Sequence, residues 1–242
     1  KNEGENHLHG GHKGFHNVNW SFDEKNIKED SLTLTHLSEN YDNGYPGNLN
    51  VSVKYTLSNR NILDIEFYAI SDRDTIFNPT SHSYFNLNPR NKTIVKHRLK
   101  INSSKFLEID NDYIPTGEFK NTASTPFDFL IEKIIGEDLN KNDNQLNIAK
   151  GYDHCFVLNK GQKIAAELSE LESGRLIQIF TDQPGIQLYT GNHLKGVFSK
   201  NQGLCLETQH FPNSPNIKSF PSTIIKANTD YYSKTSYHFK LI

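Results

Sequence analysis

The chain reads as an all-β protein, a large antiparallel β-sandwich, and three observations carry that expectation. Apolar residues recur with period two over several stretches, turn signals separate those stretches, and almost nothing repeats at helical spacing. Sandwiches routinely exceed two hundred residues without splitting. We therefore expect residues 1–242 to form a single domain.

The elements follow in order. Leu32 and Leu34 alternate with Thr33 and Thr35; Val51, Val53, Tyr55 and Leu57 alternate with Ser52, Lys54 and Thr56; Leu63, Ile65 and Phe67 alternate with Asp64 and Glu66. On an antiparallel strand such a pattern sends one row of side chains inward and the other to water. Ser58-Asn59-Arg60-Asn61 supplies a hairpin turn between the last two stretches. The pattern returns at Ile177 to Phe180 after Ser173-Gly174, at Ile186 to Tyr189 after Pro184-Gly185, and at Tyr237, Phe239 and Leu241. Phe129 to Ile135 is the one short stretch with helical character, and the Asn-rich Lys141 to Lys150 is expected to be a surface loop. No internal repeat, linker or low-complexity tract interrupts the series.

Composition excludes several classes. With 26 Lys+Arg against 28 Asp+Glu, no basic run is long enough to follow a phosphate backbone. No apolar stretch approaches the roughly 20 residues needed to cross a bilayer, and the first residues are polar instead of signal-like. A soluble cytoplasmic protein, monomer or homodimer, is the expectation. Cys155 and Cys205 make no disulfide framework; each sits in an apolar run where a thiol packs as a small hydrophobe, as suits a reducing compartment. Lys1 and the absence of methionine lead us to expect more sequence ahead of Lys1.

The opening KNEGENHLHGGHKGFHNVNW holds His7, His9, His12 and His16. In an extended segment His7 and His9 would share a face, a spacing seen in metal-ligand pairs. No carboxylate follows closely, so no metal is expected. Gly10, Gly11 and Gly14 read as a tight turn, with Phe15 and Trp20 as apolar anchors. Three later segments depart from alternation: NPTSHSYFNL (78–87) carries His82 and Tyr84, GYDHCFVL (151–158) carries Asp153 and His154, and IQLYTGN (186–192) carries Gln187 and Tyr189. LCLETQHFPNSPN (204–216) places Glu207 at a strand end beside a loop stiffened by Pro212 and Pro215, where a carboxylate can be held still and partly dry, as a general base needs. An imidazole, carboxylates, amides and aromatic rings are the set that grips a polyol and moves its protons.

LHGGHKGF, NPTSHSYFNL, IPTGEF, GYDHCFVL, QLYTGN and LETQHFPNSPN, in this order, resemble the successive motifs of the aldose 1-epimerases, also called galactose mutarotases, from about Asn6 to the C-terminus. The resemblance implies a β-sandwich of the galactose mutarotase type with a sugar cleft on one sheet face. It implies interconversion of the α and β anomers of a free hexose such as galactose or glucose. Glu207 then matches the general base and His82 the general acid; His9, Asp153 and Gln187 match residues that bind sugar hydroxyls, and Tyr84 lines the cleft. The reaction needs no nucleophile, metal or nucleotide, so no cofactor is expected. Pro79, Ser81 and His16 depart from the family's usual Leu, Asn and Asp. The family's N-terminal strands and the Arg they carry fall outside the residues from Lys1 onward. Two alternatives stay open: a non-catalytic sugar sensor on the same scaffold, and a metal-dependent jelly-roll isomerase using His7 and His9.

Overall fold

A computed structural model describes residues 1–22, 27–90 and 92–242. In chain order the strands are β1 (Ser31–Ser38), β2 (Leu49–Ser58), β3 (Ile62–Ser71), β4 (Thr75–Ile76), β5 (Tyr84–Phe85), β6 (Arg98–Ile101), β7 (Ser103–Ile109) and β8 (Pro115–Asn121). They continue with β9 (Lys133–Ile134), β10 (Asp153–Leu158), β11 (Ala166–Glu170), β12 (Arg175–Thr181), β13 (Gly185–Tyr189), β14 (Leu204–Gln209), β15 (Ile224–Ile225) and β16 (Tyr231–Leu241). One short helix, α1 (Asn144–Ala149), lies between β9 and β10. The chain gathers into two compact units, one of Lys1–Asn59, Leu63–Phe77 and Thr223–Lys234, the other of Arg60–Ile62, Asn78–Ser222 and Thr235–Ile242.

In the first unit β1 pairs antiparallel with β2, Leu34 opposite Val53 and Leu32 opposite Tyr55, in the alternating register the sequence leads one to expect. Its core joins Leu49, Val51, Ala69, Phe77 and Ile225, with Phe15 and Trp20 packed against them. Trp20 also donates its indole N–H to the Phe15 carbonyl at 2.9 Å, so both apolar anchors hold the His-rich segment down. His9 (φ 52), Gly10 (φ 79) and Gly11 (φ 86) form a tight left-handed turn. That turn removes the extended geometry in which His7 and His9 would share a face: His7 packs edge-on to Tyr45 and His9 edge-on to His16.

The second unit is a sandwich of two antiparallel sheets, one ordered β16-β12-β11-β6-β9 and the other β5-β14-β13-β10-β7-β8. Thr208 of β14 and Thr235 of β16 join hydroxyls at 2.6 Å, and the rings of Phe85 and Tyr237 meet at 5.6 Å. Leu99, Ile101, Leu168, Ile179, Leu188 and Leu204 are wholly buried, each such side chain contributing about 1.5–3 kcal/mol of transfer free energy.

Two local expectations are corrected. Within Phe129 to Ile135 there is no α-helix: Lys133 and Ile134 form β9 against β6, a single 3-10 turn (Ile135–Glu137) starts only at the last residue, and Phe129 and Ile135 are wholly buried. A short apolar run cannot be told from a buried strand by periodicity alone. Among the described residues the one α-helix instead lies in the stretch read as a loop. Asp143 caps it, its carboxylate accepting from the N–H groups of Gln145 and Leu146 at 2.9 and 3.2 Å, and Gln145, Leu146 and Ala149 bury one side. Gln145 then acts as a surrogate strand, accepting from the Ile109 N–H at 2.8 Å and donating to the Ile109 carbonyl at 2.9 Å.

Candidate active site

Strand register builds the site. Directly paired residues of an antiparallel sheet project to the same face, and residues two apart along a strand do too. Tyr84 of β5 pairs with Cys205 of β14, Cys205 with Tyr189 of β13, and Tyr189 with Asp153 of β10, which makes one row across four strands. The adjacent row on that face is Glu207, Gln187 and Cys155. The opposite face of β14 carries Leu204, Leu206 and Thr208, all buried.

His82 reaches this face from a segment laced to β14 by alternate side chains. Asn78 donates its amide to the His210 carbonyl at 3.0 Å and accepts the His210 N–H at 2.9 Å, and Thr80 donates to the Thr208 carbonyl at 2.9 Å. Two residues on, His82 sets Nδ1 3.3 Å from Cys205 Sγ and Nε2 3.8 Å from Glu207 Oε1. The segment then enters β5.

The expected motifs brace one another. Gly151, at φ 143, lies so close to Asn192 that a Cβ would come 2.3 Å from its Oδ1. Asn192 in turn donates to the carbonyls of Ala149 and Tyr152, both at 2.9 Å, which locks the start of β10 to the end of β13. A Cβ on Gly185 would come 2.8 Å from Cys155 Sγ and 3.0 Å from Phe211, so a glycine lets the loop after Glu207 close against this same face of the sheet. In that loop Asn213 donates to the Pro115 carbonyl at 3.1 Å, and Phe211 and Phe220 each meet Phe119 edge-on. IPTGEF is therefore a brace for FPNSPN.

Charge is handled unusually here. Glu207 is only 7% exposed, and burial first, then the negative charge of Asp153, pushes its carboxyl up to about 8. Asp153, half-buried, is pushed up to about 6 by burial, against a 2.7 Å hydrogen bond from the Gln187 amide. Gln187 Oε1 is buried without a hydrogen-bond partner, an acceptor aimed at no protein donor. His154 is structural: burial pulls it down to about 3, so it stays neutral, its Nδ1 accepting the Asp153 N–H at 3.1 Å while Nε2–H donates to Gln145 Oε1 at 3.2 Å. Among the described residues one trio, His82, Cys205 and Glu207, brings metal-type donor atoms within 4.8 Å of one another. An ion there would have to displace a thiol proton that burial and Glu207 hold on the sulfur.

Five of the six residues expected from sequence, Glu207, His82, Asp153, Gln187 and Tyr84, thus meet on one sheet face. His9 belongs to the other unit. Sequence reasoning passed over Tyr189 and Cys205 as site residues, although each stands two positions from a chosen one, which on a strand means the same face.

A sheet face with a dry carboxylate, an imidazole and an unfilled amide acceptor defines a proton-transferring sandwich protein. The comparisons name the family. The aldose 1-epimerase family model matches residues 1–238. The chain is 37% identical to an aldose 1-epimerase of Haemophilus influenzae over 99% of its own length and 72% of that relative. It is 36% identical to a galactose mutarotase of Sus scrofa over 99% of its length and 71% of the relative. The crystal structure of a galactose 1-epimerase from Lactobacillus acidophilus superposes with a TM-score of 0.89 at 31% identity, covering 99% of this chain and 71% of that one. The chain belongs to the aldose 1-epimerase family.

Proposed function

We propose that this protein is an aldose 1-epimerase that interconverts the α and β anomers of a free hexose such as galactose or glucose. The observation that carries the reading is His82 Nε2 lying 3.8 Å from Glu207 Oε1 on a shared sheet face, close enough for both to reach the two oxygens on one anomeric carbon. Glu207 takes the proton from the C1 hydroxyl as His82 gives one to the ring oxygen; the C1–O5 bond breaks to an aldehyde, the C1–C2 bond rotates, and the transfers reverse on the other face. Asp153 and the open Gln187 Oε1 hold hydroxyls away from C1, so both anomers fit, and the Tyr84 ring borders the mouth.

Burial, then the Asp153 charge, raises Glu207 to about 8, a proton affinity that lets it take and return a proton near neutral pH. The pair works while it holds one proton between its two members. Carboxylate with imidazolium and carboxylic acid with neutral imidazole are the forms that the sugar interconverts. Two free buried thiols are consistent with a reducing interior such as the cytoplasm.

Polarimetry on freshly dissolved α-glucose and α-galactose tests the proposal. The protein should speed the approach to the equilibrium rotation, and Glu207→Gln should lose most of that effect in kcat with KM within a few-fold. An unchanged rate of rotation in the presence of the protein would refute it.

A further inference from the structure

Cys205 sits where a mere packing residue would not need to be. Its Sγ lies 3.3 Å from His82 Nδ1, and the Tyr84 hydroxyl is another hydrogen-bonding neighbour of the sulfur. The other ring nitrogen of His82 faces Glu207 at 3.8 Å. One imidazole therefore spans two side chains that stand two residues apart on a single face of β14.

A neutral imidazole carries its proton on one nitrogen, and the hydrogen bond made by the other side of the ring decides which. With that proton on Nε2, the nitrogen facing Glu207 has no lone pair to take a proton back, and giving its proton away would leave an imidazolate. With the proton on Nδ1, Nε2 can give a proton as imidazolium and recover it as neutral imidazole. A thiol sulfur has two lone pairs and can accept the Nδ1–H and the Tyr84 O–H together.

We propose that Cys205 is a positioning residue for His82: its sulfur accepts the Nδ1–H, so the ring trades protons only through Nε2, on the side of Glu207. This rests on the acid role given to His82 above. A carboxylate in this place would orient the ring as well, but it would add a third negative charge to a pocket that already holds Glu207 and Asp153. Burial, with Glu207 and Asp153, pushes the thiol well above its usual range, so the sulfur orients without a charge. Two phenols also face the ring, Tyr84 of β5 and Tyr189 of β13, centroids 5.2 and 6.3 Å away, and burial pushes both upward, which keeps them neutral.

The test is ¹⁵N NMR of the His82 ring in the intact wild-type chain, its signals identified by their loss in His82→Gln. The neutral ring should be mainly the Nδ1–H tautomer. Cys205→Ser should keep that tautomer, whereas Cys205→Ala should move it toward Nε2–H and lower kcat about tenfold with KM within twofold, a part of the 10²–10⁴-fold that a positioned acid supplies. A wild-type ring that is mainly Nε2–H overturns the proposal without any cysteine variant having to fold, and so does a Cys205→Ala ring with the wild-type tautomer. The tautomer is read independently of turnover, so a wild-type protein that fails to speed mutarotation would remove the functional reading and leave this result standing.

Discussion

Glu207 and Asp138 are hidden from water to nearly the same degree, their side chains 9% and 11% exposed, and they differ in what they are given for company. Asp138 receives Lys133 on one oxygen and Lys141 on the other, each at 2.6 Å. Burial alone would raise its carboxyl, but the two lysine hydrogen bonds and charges outweigh it and hold the group below the ordinary carboxylate range. Lys133 is itself tied down, donating to the Pro126 carbonyl at 2.6 Å and lying over the Phe129 ring at 4.4 Å. Glu207 has the His82 ring at 3.8 Å and a second carboxylate nearby, and its carboxyl goes up to about 8. A buried carboxylate with paired cations is a clamp. A buried carboxylate that raises its own proton affinity is a base in waiting, and the fold tolerates the cost because neighbouring strands hold it there.

The largest effect expected from this contrast is on rate. Glu207→Gln should lower kcat by about 10²–10⁴-fold, whereas Asp138→Asn should leave kcat and KM near wild type; steady-state polarimetry on both variants reads the difference. Stability should respond the other way round. Asp138→Asn leaves Lys133 buried without its counter-charge, and calorimetry should show Tm falling by about 5–10 °C, from roughly 2–3 kcal/mol of a partly buried pair.

Glu207 binds its proton more tightly folded than unfolded. Its contribution to stability is therefore complete below its ordinary value of 4.5 and is lost as the pH rises through about 8. Glu207→Gln should consequently raise Tm at pH 9 by about 5 °C and change it little at pH 5. Asp138 has the opposite sign: its contribution is present above 3.8 and is lost as the pH falls through its lowered value. The smallest effect is a shift of profile. The one-proton state of the Glu207–His82 pair bounds activity on both sides, so kcat/KM should be bell-shaped, and removing the Asp153 charge by Asp153→Asn should move the basic limb to lower pH by up to about one unit.

Much of this was legible in the amino-acid order, for reasons that differ from one residue to the next. Alternation exposed β1, β2, β3, β12 and β13, because strands with one wet face write their geometry into polarity. Asp153 opens β10, but Glu207 and Gln187 lie inside β14 and β13 and His82 lies ahead of β5, so these residues were legible through the family motifs that carry them and not through alternation. Cys205 hid inside an apolar run, where nothing separates a thiol that touches an imidazole from one that merely packs; only the pairing of β14 with β5 tells them apart. The capped helix at Asn144–Ala149 was masked by its asparagines, and its value lies in Gln145, whose strand-like bonds to Ile109 no local pattern announces. The Lys133–Asp138–Lys141 clamp was invisible for the same reason: its members look like surface charges until the chain folds around them.

Glu207 is a dry base whose proton affinity burial and Asp153 raise, and its own titration tests that most directly. ¹³C NMR of the side-chain carboxyls, with the Glu207 signal identified by its loss in Glu207→Gln, should give a midpoint near 8 that falls in Asp153→Asn. A midpoint at the ordinary 4.5, unmoved by Asp153→Asn, would contradict it.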